Sequence, residues 1–164
     1  MAYAGVHEAI VGVLRASDVA DVDWTKSPYY LEAAEPLPDD SEAGVFQLGP
    51  FPYVVYELPD STVEHAMSDA FVEMFAPVFY VVGTQKHLTT VLSPYASGSV
   101  ISYLDSLRGT QALPAGYQAF DGDNFNCIEF TRQNYYLGKD PSRGTLGERV
   151  WLARASYKLI FNLG

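Results

Sequence analysis

The feature that most constrains this chain lies near its end, where Trp151, Ala153, Ala155, Tyr157, Leu159, Phe161 and Leu163 alternate with Val150, Leu152, Arg154, Ser156, Lys158, Ile160 and Asn162. Strand side chains point to opposite faces at period two, so this pattern specifies one long strand with an apolar face and a mixed face. Such a strand needs neighbours along its edges and a layer to cover its apolar side. The preceding run, about Asn126 to Leu137, supplies the first neighbour. Between the two lies GKDPSRGTLGER, with three glycines and a proline, which predicts an antiparallel hairpin with a long tip.

The remaining elements follow from the same periodicities. Val6, Ile10, Val13 and Leu14 recur at helical spacing and predict an amphipathic helix from about Gly5 to Ala16. The stretch from Asp18 to Pro52 is acidic and proline-bearing and reads as a long surface excursion. Tyr53 to Leu58 is β-branched and aromatic and closes on Pro59-Asp60, a strand signature. A longer strand is predicted over about Phe71 to Val82, with a bulge or edge position at Pro77, which cannot donate to a ladder. From Gln85 to Arg108 the pattern is helical again through Leu88, Val91, Leu92, Val100, Ile101, Leu104 and Leu107, split or kinked at Pro94 and Gly98. A turn-rich stretch, Gly109 to Asn124, leads into the final hairpin. The expectation is therefore one α+β domain over residues 1–164, with a four-stranded antiparallel sheet in the order α-ββ-α-ββ and the helices on one face.

Charge narrows the function. At a formal −10 the chain is ill suited to grip nucleic acid, because phosphate binding needs clustered Lys and Arg. The charge is also segregated: Met1 to Asp60 holds 11 acids and 2 bases, whereas Asn126 to Gly164 holds 3 acids and 6 bases. Apolar residues reach 48% with 12 Tyr, 9 Phe and 2 Trp, and aromatic residues are enriched in the centres of protein interfaces as well as in cores. The first residues, MAYAGVHEAIVGVLRAS, lack the basic region of a signal peptide, and no apolar run approaches the roughly 20 residues of a membrane helix, so neither a signal peptide nor a membrane-spanning helix is expected.

No catalytic constellation stands out: there is no Walker A loop, G-x-S-x-G elbow, H-E-x-x-H or paired C-x-x-C. His7, His65 and His87 share no ligand spacing, and Cys127, the single cysteine, sits at the start of a predicted strand and reads as a buried structural thiol. Asp121-Gly122-Asp123-Asn124 is part of a calcium-loop pattern without the later bidentate Glu, and reads as a turn. Asp18, Asp21 and Asp23, and Asp39, Asp40 and Glu42, form solvated acidic faces; Lys139, Arg143, Arg149, Arg154 and Lys158 are too sparse for a duplex-binding stripe and better suited to an acidic protein neighbour. No cofactor and no metal is expected.

With PYVVYEL as an early strand, VFYVV closing the next, VISYLDSL as a helix and YKLIFNL closing the chain, the element order resembles the tail terminator and tail completion proteins of long-tailed bacteriophages. The resemblance implies a structural, non-enzymatic subunit of a six-membered ring at the head-proximal end of the tail tube. Such a ring ends tube growth, meets the head connector or stopper, and encloses DNA without reading its sequence. Six copies would carry about −60, from six times −10, which lets DNA slide without sticking. Head-to-tail contacts in a ring need two different complementary patches. The candidates from segregated charge are Asp18, Asp21, Asp39 and Asp40 on one side and Lys139, Arg143, Arg149 and Arg154 on the other. Other neck roles (head completion, stopper, tube subunit) share this pattern. The alternatives are a small-ligand-binding or hydrolytic α+β domain with a site near Cys127, His65 or Asp121, and a monomeric adaptor docking through its acidic excursion.

Overall fold

A computed structural model describes residues 2–31, 50–65, 71–107, 126–139 and 150–162. Helix α1 (Ala2–Ala16) buries Val6, Ala9, Ile10, Val13 and Leu14, the stripe that its 3.6-residue period dictates. It stops at Asp18, whose φ of 49° lies in the left-handed region that ends helices, a conformation Asp tolerates better than most residues with a Cβ.

Seven strands form one sheet: β1 (Tyr29–Tyr30), β2 (Tyr53–Glu57), β3 (Thr62–His65), β4 (Phe71–Phe75), β5 (Val78–Thr84), β6 (Asn126–Lys139) and β7 (Val150–Asn162). The expected four-stranded antiparallel sheet in the order α-ββ-α-ββ is corrected on both counts. The sheet is mixed, because β1 runs parallel to β2, and five strands separate the two helices. Prolines account for most of the difference. Phe75 pairs with Leu159 and Val78 with Ser156 in one unbroken register, and the Tyr157 N–H donates to the Pro77 carbonyl at 2.9 Å, so β4 and β5 lie end to end along one edge of β7. Pro77 returns no N–H to the ladder, and the row divides there. The outer row divides similarly around Pro59: Glu57 pairs with Val78 and Thr62 with Met74, so residues 58–61 oppose residues 75–77, one residue more on the outer row.

The long strand predicted from alternation is the hub. β7 holds β4 and β5 on one edge and β6 on the other, and outside β4 and β5 come β3 and β2, with β1 beyond β2. Ala153, Ala155, Tyr157, Leu159 and Phe161 share one core cluster with α1 and with α2 (Val100–Ser106), so both helices cover the same sheet face. The opposite face has a second, smaller cluster of Tyr53, Val55, Val82 and Val150, packed by Tyr29, Phe51 and Leu152.

Two further expectations are corrected. The helix predicted over 85–108 is confined to Val100–Ser106, preceded by a 3₁₀ turn at Gln85–His87. Gly98 at φ +85° reverses the chain, and Ser99 then caps α2, its Oγ accepting the Ser102 N–H at 3.1 Å. Val91 and Leu92 are buried from the intervening turns, so apolar residues at helical spacing arose there without a helix. The described part of the excursion, residues 18–31, is tied down rather than loose. Val19 and Val22 are buried, the Ser27 Oγ accepts the Val54 N–H, the Leu31 N–H donates to the Tyr56 carbonyl, and β1 extends the sheet.

Candidate assembly interface

Of the residues selected for opposed charge, Asp39, Asp40, Arg143 and Arg149 lie outside the described residues. Asp18 and Asp21 are exposed in the loop after α1. Asp21 is near enough to His87 to favour the charged imidazole, so this loop sits beside the 3₁₀ turn. Lys139 ends β6. Arg154 is not a rim residue but lies half-buried in the middle of the second sheet face, with its guanidinium 3.5 Å from the Asn134 Oδ1. Beside it Tyr80 donates to Glu57 at 3.2 Å, forming a polar row across β2, β5, β7 and β6; burial raises the Tyr80 pKa, and the Arg154 charge opposes that rise. Among the described residues, no ion pair joins Asp18 or Asp21 to Arg154.

The surface residues that invite a partner are others, and they fall at two corners of the sheet. Val63 on β3 and Phe71 on β4 are 56% and 46% exposed. Through the pairs Val63 with Glu73 and Glu73 with Phe161, they stand on the helix-bearing face, beyond its covered part. At the far edge Tyr136 and Leu137 of β6 are 59% and 37% exposed, on opposite faces because they are adjacent in a strand. Tyr95, 90% exposed, belongs to this second edge, since the Tyr135 hydroxyl pins its loop to β6 by donating to the Leu92 carbonyl at 2.8 Å. Tyr136 lies over Gly138, where an added Cβ would stand 2.8 Å from the ring Cε1.

Register fixes the distance between the corners. Tyr136 aligns with Arg154 and Val63 with Phe161, seven residues apart on β7, and three strand spacings separate β6 from β3. At about 3.3 Å per residue and about 4.8 Å per spacing, the corners are about 23 Å apart along the strands and about 14 Å across them, about 27 Å on the diagonal. The segments that hold them differ in net charge. Residues 57–75 contain five acids (Glu57, Asp60, Glu64, Asp69, Glu73) and neither Lys nor Arg, whereas 126–164 has twice as many bases as acids. Sequence periodicity missed these residues because it finds the buried stripe. The one available signal was Tyr136-Leu137 itself, two adjacent large apolar residues that no single-faced strand can bury together.

A shallow cleft of about 270 Å³ opens at the end of α2, lined by Asp105, Phe130, Thr131 and Arg132. Its polar groups serve one another. The buried Tyr157 hydroxyl donates to the Asp105 Oδ1 at 2.7 Å, and the Arg132 Nε meets the same oxygen at 3.3 Å while its guanidinium lies 5.5 Å from the Tyr135 ring centre. Burial, and then the bond to Asp105, push the Tyr157 pKa far upward, so it remains a phenol and a donor. Phe130 stacks on Tyr157 at 4.8 Å, and Phe79 meets it edge-on. The arrangement clamps α2 to β6 and β7.

The residues weighed for chemistry do not converge. The His7 ring nitrogen Nδ1 is 3.1 Å from the Tyr56 hydroxyl, beneath α1. His87 is buried and accepts the Thr84 N–H on Nδ1 at 3.0 Å; burial, reinforced by the Lys86 charge, lowers its pKa. The backbone of His65 pairs with Phe71 in β3, and that of Cys127 with Phe161 in β6, while their side chains and Asp121 to Asn124 lie outside what is described. Among the described residues no group of three or more His, Cys, Asp or Glu is placed to hold a metal, and no helix is long and apolar enough to cross a membrane. No protein-family model matches the chain, and no curated protein matches it.

Proposed function

We propose that this protein is a structural subunit of a closed ring in the neck of a long-tailed bacteriophage virion, acting as a tail terminator. One observation carries the reading: the chain exposes two unlike apolar corners about 27 Å apart on one sheet, in segments of opposite net charge. Two unlike patches make a heterologous contact, and heterologous contacts repeated with a closing rotation give rings. Such a ring, sixfold in the terminator reading, would stack on the tail tube on one side and present its other side to the head connector or stopper. The DNA would pass through an acidic lumen without sequence-specific contact. The reading is structural rather than enzymatic and is favoured over ligand binding at the Asp105 cleft, whose carboxylate, guanidinium and phenol are engaged with one another.

Negative-stain electron microscopy of the purified protein, alone and mixed with isolated tail tubes, tests this. Rings and capped tube ends are expected. A monodisperse monomer that leaves tube ends bare removes the terminator assignment.

A further inference from the structure

We infer that the two corners are the two halves of a single subunit contact: the Val63–Phe71 corner of one copy seats against the Tyr136–Leu137 edge of the next. This rests on the ring reading and adds to it the partner of each surface. The occupant of both surfaces is a second copy of this chain, because each corner has what the other lacks. The Val63–Phe71 corner stands in a segment with five acids and no base, while the Tyr136–Leu137 edge leads into Lys139 on the hairpin that holds six of the chain's ten Lys and Arg residues. Apolar anchors ringed by charge of opposite sign give a contact both its affinity and its orientation. A like-with-like pairing would set acid against acid at one corner and base against base at the other.

The contact is made by side chains rather than by adding a strand. β6 pairs only with β7 among the described strands, but its register with β7 shifts between Cys127 and Glu129 and again between Arg132 and Asn134. These bulges interrupt the row of outward N–H and C=O groups over the first half of β6 and leave an even row only over Asn134 to Lys139. β3 is four residues long, too short to template a stable ladder. The exposed rings and aliphatic groups on these two edges are therefore the recognition elements.

The test uses the full chain in two variants, Val63→Arg at one corner and Leu137→Glu at the other, both at exposed positions where the fold tolerates substitution, with the thermal melt of each compared with wild type. Sedimentation velocity over a concentration series should show wild-type rings and, for each variant alone, self-association weakened by about tenfold or more. Mixing the two variants decides between contact types. Each retains one intact half, so a head-to-tail contact yields a heterodimer and nothing larger. If each variant instead dimerises alone and mixing adds no species, the contact joins like with like and the inference is overturned. Wild-type rings that persist in both variants overturn the inference and leave the ring reading standing. A wild-type chain that remains monomeric overturns both.

Discussion

The two faces of β7 show how one strand divides its work. On the face beneath α1 and α2, Ala153, Ala155, Tyr157 and Leu159 are at most 1% exposed. On the other face Arg154, Ser156 and Lys158 are only half-buried, between an apolar cluster at Val150 and a nearly buried Ile160. The first face is a packed core in which every methylene counts. The second carries paired charges, such as Lys158 with Glu129 at 3.5 Å, that contribute little to stability in contact with water. Along β7 the packed core therefore runs the length of one face, while the other packs tightly only near Val150 and Ile160.

The largest expected break in that contrast is Leu159→Ala, which opens a cavity at a wholly buried site and should cost about 2–5 kcal/mol in urea unfolding. Lys158→Ala, one position away on the other face, should cost less than about 1 kcal/mol in the same measurement. Equal losses would erase the distinction between the faces.

Tyr157→Phe keeps the ring but removes the donor to Asp105, leaving a partly buried carboxylate with one donor fewer; a loss of about 1–3 kcal/mol is expected. Asp105→Asn in the same background should cost less than it does in wild type, because the two side chains share one interaction.

His87 sharpens the contrast through pH. Its folded pKa lies below the ordinary 6.5, chiefly because it is buried, so the folded state binds fewer protons than the unfolded. Its contribution to stability is complete above about pH 6.5 and declines as the pH falls through that value toward the depressed folded pKa. Thermal melts of wild type between about pH 7.5 and pH 5 should fall more steeply than those of His87→Gln. Parallel profiles would show that the ring takes up protons equally in the folded and unfolded states, so that burial does not depress its pKa.

The smallest effect on stability is expected at Gly138. An added Cβ displaces only the exposed Tyr136 ring, so Gly138→Ala should shift the melting temperature little. It should nonetheless weaken ring formation in sedimentation, because Tyr136 loses its place on the β6 edge. A large drop in melting temperature with unchanged assembly would make Tyr136 a packing residue instead.

Much of the core was legible before any coordinates. The alternation from Trp151 to Leu163 and the stripe Val6, Ile10, Val13 and Leu14 each report one solvent boundary, and a single boundary is what periodicity encodes. The helical pattern of Leu88, Val91 and Leu92 misled because burial from consecutive turns produces the same spacing. The charge candidates were legible as composition but not as places: Arg154 reads as a free base in the sequence and stands in the middle of a sheet face in the fold.

By itself the sequence determined the hub strand, the opening helix, an irregularity at Pro77 and the segregation of charge, because each depends on residues close together in the chain; that Pro77 divides the expected strand in two was decided by the fold. Only the tertiary structure decided that Tyr29-Tyr30 joins β2 as a parallel edge, that Asp105, Arg132 and Tyr157 meet, and that Val63 and Phe71 stand at the corner diagonal to Tyr136 and Leu137. Those facts depend on which strands lie side by side, and pairing between distant segments is set by the summed packing of the whole sheet rather than by any local pattern.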